Sequence, residues 1–185
     1  NKKRLELIAM RIGITGQAGF VGTWLYNTLG LYKDFERIPF EDSFFEDRKR
    51  LREFVSKCDA IIHLAAMNRH PDEQVIYETN INLVTSLIDA IELEGAAPHI
   101  IFSSSSQEEK DNLYGRSKRE GRKLFEKWAV RNGASFTGLV IPNVFGPFSR
   151  PNYNTFIATF AYKLINGENP EVKIDGDIKL IYVGN

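Results

Sequence analysis

The sequence predicts an α/β fold, a doubly wound parallel sheet with crossover helices, and three observations carry that expectation. Apolar strand-like runs alternate with helical patterns from the first tenth of the chain onward, which is how strand-helix-strand units read in sequence. The run Ala60-Ile61-Ile62-His63-Leu64-Ala65-Ala66 is almost continuously apolar, as a strand covered on both faces must be. Gly16, Gly19 and Gly22 follow the first apolar run directly, where such folds turn from strand into helix.

Taken in order, Arg11-Ile12-Gly13-Ile14-Thr15 reads as the first strand, and a helix opens at Phe20 and runs to about Leu29, where Gly30 stops it. Arg37-Ile38-Pro39-Phe40 reads as a short second strand, and the mixed charges of Glu46-Asp47-Arg48-Lys49-Arg50 mark a solvated helix face. After the His63 strand, Tyr77, Ile81, Val84, Ile88 and Ile91 recur at spacings of four and three, one stripe of a long helix between Pro71 and Gly95. His99-Ile100-Ile101-Phe102-Ser103 is the next strand, a helix carries Tyr114, Lys118, Phe125 and Trp128 as far as Gly133, and Phe136 to Ile141 forms a strand closed by Pro142. A helix through Phe156, Phe160 and Leu164 and a strand over Lys179-Leu180-Ile181-Tyr182-Val183 finish the chain.

Composition narrows the function classes. At 185 residues, 43% hydrophobic and 26% charged, the chain has the make-up of one packed domain. Lys+Arg and Asp+Glu both count 24, so no net field exists to hold nucleic acid or an anionic membrane surface. A single cysteine, Cys58, allows neither an internal disulfide framework nor a Cys-rich zinc site. No apolar run reaches membrane-spanning length, and Glu6 interrupts what would be the apolar part of a leader. The expectation is a cytoplasmic protein with no nucleic-acid or membrane partner.

Two patterns carry chemistry. Thr15-Gly16-Gln17-Ala18-Gly19-Phe20-Val21-Gly22 lies between a strand and a helix, where small residues let a pyrophosphate approach helix N-terminal amides. The same letters also serve as plain turn chemistry, while a P-loop is excluded because no Gly-Lys-Ser/Thr ends the loop. Tyr114 and Lys118 stand four apart on one helix face, where an ammonium would lower the pKa of the phenol and let it move protons. A surface pair is the plainer reading. The serines from Ser103 to Ser106 end the preceding strand at the carboxyl edge, where open α/β sheets place ligands.

Together with His63-Leu64-Ala65-Ala66, Asn80 and Pro142-Asn143-Val144-Phe145-Gly146-Pro147, these residues resemble the extended short-chain dehydrogenase/reductases, the NAD-dependent epimerase/dehydratase family, whose fold is of the Rossmann type. A narrower similarity is to the CapF-type capsular-polysaccharide reductases of nucleotide sugars. It rests on Met67-Asn68-Arg69, Ser105-Ser106-Gln107, Asp111-Asn112-Leu113-Tyr114-Gly115-Arg116-Ser117-Lys118, Arg150-Pro151-Asn152-Tyr153-Asn154 and the short step from Ser105 to Tyr114. The resemblance begins at Met10, so residues 1–9 would be an extension or cloning remnant, and residues 10–185 a cofactor-binding domain with only part of the substrate lobe.

The resemblance implies NAD(P)H-dependent reduction of a 4-keto UDP-sugar for bacterial surface polysaccharide synthesis. Tyr114 would protonate the ketone oxygen, Lys118 would tune Tyr114 and bond the nicotinamide ribose, and Ser105 would hydrogen-bond the reacting oxygen. Gly16, Gln17, Gly19, Phe20, Val21, Gly22, Leu64, Ala65, Ala66 and Ser103 would line the dinucleotide, and Asn143, Arg150 and Asn152 the substrate. The family's usual homodimer would pair the Tyr114 helix and the long helix before it across a two-fold axis.

Two other functions stay open: a 4-epimerase or dehydratase with tightly held NAD, and a non-catalytic dinucleotide-sensing regulator. An acidic pair typical of dehydratases is replaced here by Ser105-Ser106, and regulators of this type lose the Tyr-Lys pair that this chain keeps. The cofactor is NAD or NADP. Glu41, some 20 residues past the glycine loop, suits a ribose 2′-hydroxyl and NAD, whereas the resemblance points to NADP, with Arg69, Arg48 or Arg50 as partners for its phosphate. His63 is expected to be a satisfied buried imidazole, His70 and His99 make no metal site, and the basic stretch from Arg116 to Lys123 is expected to be a solvated face apart from Lys118.

Overall fold

A computed structural model describes residues 9–153, 155–172 and 176–185. Most of the expected N-terminal extension, residues 1–8, and Asn154 of the arginine-asparagine motif lie outside the described residues. Five strands, β1 (Met10–Thr15), β2 (Phe35–Ile38), β3 (Ala60–His63), β4 (His99–Ser105) and β5 (Phe136–Ile141), form one sheet in the order β2-β1-β3-β4-β5. All its pairings are parallel. The crossover helices are α1 (Phe20–Leu29), α2 (Arg48–Val55), α3 (Glu73–Glu94) and α4 (Leu113–Asn132).

The helix ends follow from local chemistry. The Asp72 carboxylate accepts from the Gln74 amide at the start of α3, and Asn112 Oδ1 accepts from the Gly115 amide, 2.7 Å away, at the start of α4. Both helices stop at glycines, Gly95 and Gly133. Asp47 caps α2 through the amides of Lys49 and Arg50, and this charged helix turns Leu51, Phe54 and Val55 inward.

Two apolar layers sandwich the sheet. Phe54, Val55, Ile61, Leu87, Ile91, Ile100, Phe102, Phe125 and Trp128 belong to the core beneath α2, α3 and α4, while Ile12, Ile14 and Leu29 meet on the α1 side. Each fully buried large side chain of this kind contributes roughly 1.5–3 kcal/mol, so the α3–α4 side holds most of the stability. No helix among the described residues is long and apolar enough to cross a membrane.

The structure departs from the sequence reading at several strands. The second strand lies two residues earlier, pairing Met10 with Phe35 through Gly13 with Ile38, because Pro39 has no amide to continue a ladder. The third strand ends at His63 rather than Ala66, and the Leu64 amide goes to the Thr15 carbonyl. A strand the sequence reading missed, β6 (Asn143–Phe145), pairs in parallel with β7 (Leu180–Tyr182) in a separate two-stranded sheet. Three residues without alternation leave no periodic signal. The helix α5 (Phe156–Ile165) has no buried residue, and Leu139 and Val140 of β5 are exposed.

Candidate active site

Parallel register brings the carboxyl ends of the strands to one edge. Thr15 lies beside His63, His63 beside Phe102, and Ser105 beside Ile141. The glycine loop, the turn after His63, the serines and the Pro142-Asn143 segment therefore leave the sheet on the same side. The reversal of strand order between β1 and β3 places a crevice there, the usual ligand position in open α/β sheets.

The glycine loop is built for close approach. Gly16 has φ +72°, and a Cβ on it would stand 2.7 Å from the Ala65 amide nitrogen. A Cβ on Gly22 would meet the Gly16 carbonyl oxygen at 2.3 Å, so α1 starts against the loop only because that position carries no side chain. The Gly19 amide donates to Gly16 O at 3.0 Å, and no side chain among the described residues caps α1. The first-turn amides are thus left without a side-chain acceptor, the arrangement that receives phosphate. Gln17 Oε1 accepts from the Phe40 amide at 3.3 Å, tying the loop to the end of β2.

Glu41 lies just beyond that tie, exposed, with Oε2 accepting from Ser43 Oγ at 3.3 Å. Thr15 Oγ1 and His63 Nδ1 are 2.8 Å apart, joining β1 to β3 below the loop. Leu64, Ala65 and Ala66, half-buried, continue from His63 past Gly16. The Ser103 hydroxyl donates to the His63 carbonyl at 3.2 Å and so braces β3 against β4.

His63 corrects one expectation. Its side chain is fully buried, but only Nδ1 has a partner, and Nε2 has none among the described residues. It is stacked on Phe102 and edge-on to Phe125. Burial, helped by the charge of Lys118, pushes its pKa down to about 3, so the imidazole is neutral.

Ser105 ends β4 and Tyr114 stands in the first turn of α4, with Lys118 one turn further along that helix. Ser105 Oγ accepts from the Gln107 amide at 3.2 Å, capping a 3-10 turn over Ser106–Glu109 that leads into α4. The expected lowering of the Tyr114 pKa by Lys118 does not occur. Burial raises it, opposed by a hydrogen bond from Ser105, so Tyr114 is a protonated phenol, an acid ready to donate. Lys118 is 3% exposed, with Nζ 4.4 Å from the centre of the Phe102 ring. Burial pushes its pKa down to about 8, and Glu108 pulls the other way.

Asn80, which the sequence reading had only as part of a pattern, anchors this corner. Its side chain accepts from the Met67 amide at 2.7 Å, donates to the Met67 carbonyl at 2.9 Å, and donates to Ser117 Oγ at 3.0 Å. Ser117 Oγ in turn donates to the Tyr114 carbonyl at 2.7 Å.

The basic stretch on α4 is also less solvated than expected. Arg122 makes an ion pair with the buried Glu108, and Arg119 donates to the Glu108 carbonyl.

A cavity of about 480 Å³ opens beyond β6, lined in part by Arg69, Asn143, Asn152, Tyr153, Thr155 and Phe160. Two of the three residues expected at the substrate, Asn143 and Asn152, line it; Arg150 does not, and the arginine on its wall is Arg69, 5.5 Å from the centre of the Tyr153 ring. Asn152 has φ +56°, and its amide donates to Thr159 Oγ1 at 2.8 Å.

Residues 12–183 match the model of the NAD dependent epimerase/dehydratase family. The chain belongs to that family. Over 175 residues it is 33% identical to a UDP-2-acetamido-2,6-beta-L-arabino-hexul-4-ose reductase of Pseudomonas aeruginosa, covering 94% of this chain and 46% of that protein. The capsular polysaccharide assembling protein CapF of Staphylococcus aureus superposes with a TM-score of 0.78 at 31% identity, over 95% of this chain and 46% of its own. The UDP-glucose 4-epimerase of Thermotoga maritima shares the fold, with a TM-score of 0.81 at 23% identity and 95% and 70% coverage. The chain thus spans about half the length of its reductase and CapF relatives.

Proposed function

We propose that the protein containing this chain reduces a 4-keto UDP-sugar with a nicotinamide dinucleotide, as a step in making precursors of a bacterial surface polysaccharide. The observation that carries the reading is half-buried Ser105 hydrogen-bonded to a protonated Tyr114, with buried Lys118 one turn further along α4, at the same sheet edge as the glycine cradle. The reductase relative in Pseudomonas aeruginosa, whose name specifies a hexul-4-ose on UDP, supports the choice of reaction.

The residues fit a dinucleotide: Gly16 and Gly22 leave the space that a Cβ would fill, and α1 offers uncapped amides. Gly16, Gln17, Gly19, Phe20, Val21 and Gly22 would hold its pyrophosphate, Leu64, Ala65 and Ala66 its middle, Ser103 the floor beneath, and Glu41 the adenosine ribose. When bound, the nicotinamide supplies hydride to the ketone carbon. Tyr114 delivers the phenolic proton to the ketone oxygen as negative charge develops there, and Ser105 steadies that oxygen by hydrogen bonding. Lys118, cationic at neutral pH with a pKa of about 8, would bond the nicotinamide ribose. Asn143, Asn152 and Arg69 would grip the UDP-sugar, Arg69 through its diphosphate, with Arg150 at the rim. Tyr182 and Val183, packed against Gly146, support the segment after Asn143. The same reading extends to a homodimer through the outer faces of α3 and α4.

Tyr114→Phe is the test. Turnover of a 4-keto UDP-sugar, followed by loss of reduced-nicotinamide absorbance, is expected to fall about 10²–10⁴-fold, with dinucleotide affinity nearly unchanged. Activity within a few-fold of the unmodified protein would overturn the assignment.

A further inference from the structure

Glu108 is a buried acid that the proposed chemistry does not use. Its side chain is 8% exposed, yet it holds an ion pair with Arg122 and a hydrogen bond from Ser104. Arg122 Nε donates to Oε1 at 3.0 Å and Nη2 to Oε2 at 2.7 Å, a two-pronged pairing. Ser104 Oγ donates to the same carboxylate, and Arg119 Nη1 donates to the Glu108 backbone carbonyl at 3.1 Å.

The partners explain why the contacts matter. Ser104 immediately precedes Ser105 on β4, and its side chain lies on the sheet face that also carries buried Phe102. Arg122 is one helical turn beyond Lys118, which is one turn beyond Tyr114. A single carboxylate therefore ties the strand end bearing Ser105 to the helix face bearing Tyr114 and Lys118. The joint is close: a Cβ on Gly115 would stand 1.9 Å from the Gln107 carbonyl oxygen, so the 3-10 turn lies directly on the first turn of α4.

We propose that Glu108 is a positioning residue for this site, clamping the Ser104–Ser105 end of β4 to α4 through Arg122 and setting a negative charge beside Lys118. The inference rests on the reductase reading for the value of holding Ser105, Tyr114 and Lys118 together. It does not rest on that reading for its physical content.

Lys118 reports on the clamp. The groups around it are His63 on β3, Glu108 on the 3-10 turn, and Tyr114 and Arg122 on α4 itself. Phe102 of β4, its ring centre 4.4 Å from the Lys118 ammonium, and Asn80 of α3, bonded to the adjacent Ser117, carry no charge. His63 is neutral above a pKa of about 3, and the raised Tyr114 stays protonated well above neutral pH. Glu108 is then the acid that keeps Lys118 cationic against burial. Glu108→Gln should move the Lys118 titration midpoint down, and Arg122→Gln, which removes a cation one helical turn away, should move it up.

The experiment is a pH titration of isotope-labelled lysine followed by nuclear magnetic resonance, with the Lys118 signal assigned by its loss in Lys118→Met. Opposite movements in Glu108→Gln and Arg122→Gln support the proposal, because simple loosening of the joint would move both midpoints the same way. Midpoints that stay put, or that move together, overturn it. Should Glu108→Gln fail to fold, the Arg122→Gln midpoint decides alone: a rise supports the clamp charge, and no rise overturns it. The titration needs neither cofactor nor turnover, whereas the reductase reading is judged by whether the unmodified protein reduces the 4-keto sugar. One can fail while the other stands.

Discussion

Lowering the pH from 7 to 5 is expected to cost the folded chain about 2 kcal/mol through His63 alone. The unfolded imidazole titrates near its ordinary 6.5, while burial between the sheet and Phe125, with Lys118 nearby, pushes the folded value down to about 3. Between those values the unfolded state binds the extra proton, so stability must fall as the pH falls, and it keeps falling until the folded imidazole itself takes up the proton. At pH 7 little of the penalty is present; at pH 5 the unfolded imidazole is almost fully charged and the folded one almost fully neutral. Urea unfolding of the chain and of His63→Asn at pH 5, 6 and 7, read by the fluorescence of buried Trp128, isolates the effect. The variant loses a hydrogen bond to Thr15 and some packing, which lowers its stability at every pH, but it has no imidazole to titrate. The unmodified chain should therefore lose about 2 kcal/mol more than the variant between pH 7 and 5. Parallel losses in the two proteins would refute the argument, because they would mean that His63 is charged in the fold or that water reaches it.

Three further outcomes test other joints. Gly115→Ala puts a methyl group 1.9 Å from the Gln107 carbonyl oxygen; it should lower stability by about 1–3 kcal/mol and Tm by roughly 2–12 °C, and an unchanged melting curve would show that the 3-10 turn moves freely. Gly22→Ala sets a methyl group 2.3 Å from Gly16 O and should weaken binding of reduced dinucleotide about tenfold or more in a fluorescence titration; unchanged affinity would place the pyrophosphate elsewhere. Glu41→Ala should raise the affinity for NADPH relative to NADH, since a carboxylate repels a 2′-phosphate; no gain, or tighter NADPH binding before the substitution, would remove Glu41 from cofactor selection.

The sequence alone determined the fold class and, among the described residues, six of the seven strands and the five α-helices to within a few residues, because each rests on local information: the period of apolar side chains, a capping Asp or Asn, a stopping glycine. It also determined which residue types stand in the glycine loop and in the Tyr114–Lys118 spacing. What those residues do to one another was decided by tertiary structure, because pKa values and hydrogen bonds depend on neighbours distant in the chain. Tyr114 and Lys118 read in sequence as an ion beside a phenol, but folding buries Lys118 and half-buries Tyr114, shifting the phenol up and the amine down. Glu108 reads as one more charge in a polar loop, and only the approach of α4 to β4 gives it Arg122 and Ser104. Asn80 meets Met67 and Ser117 across 13 and 37 residues of chain, and Arg69 rather than Arg150 reaches the cavity wall. Periodicity records which face a residue turns inward; it holds no record of which distant charge will be waiting there.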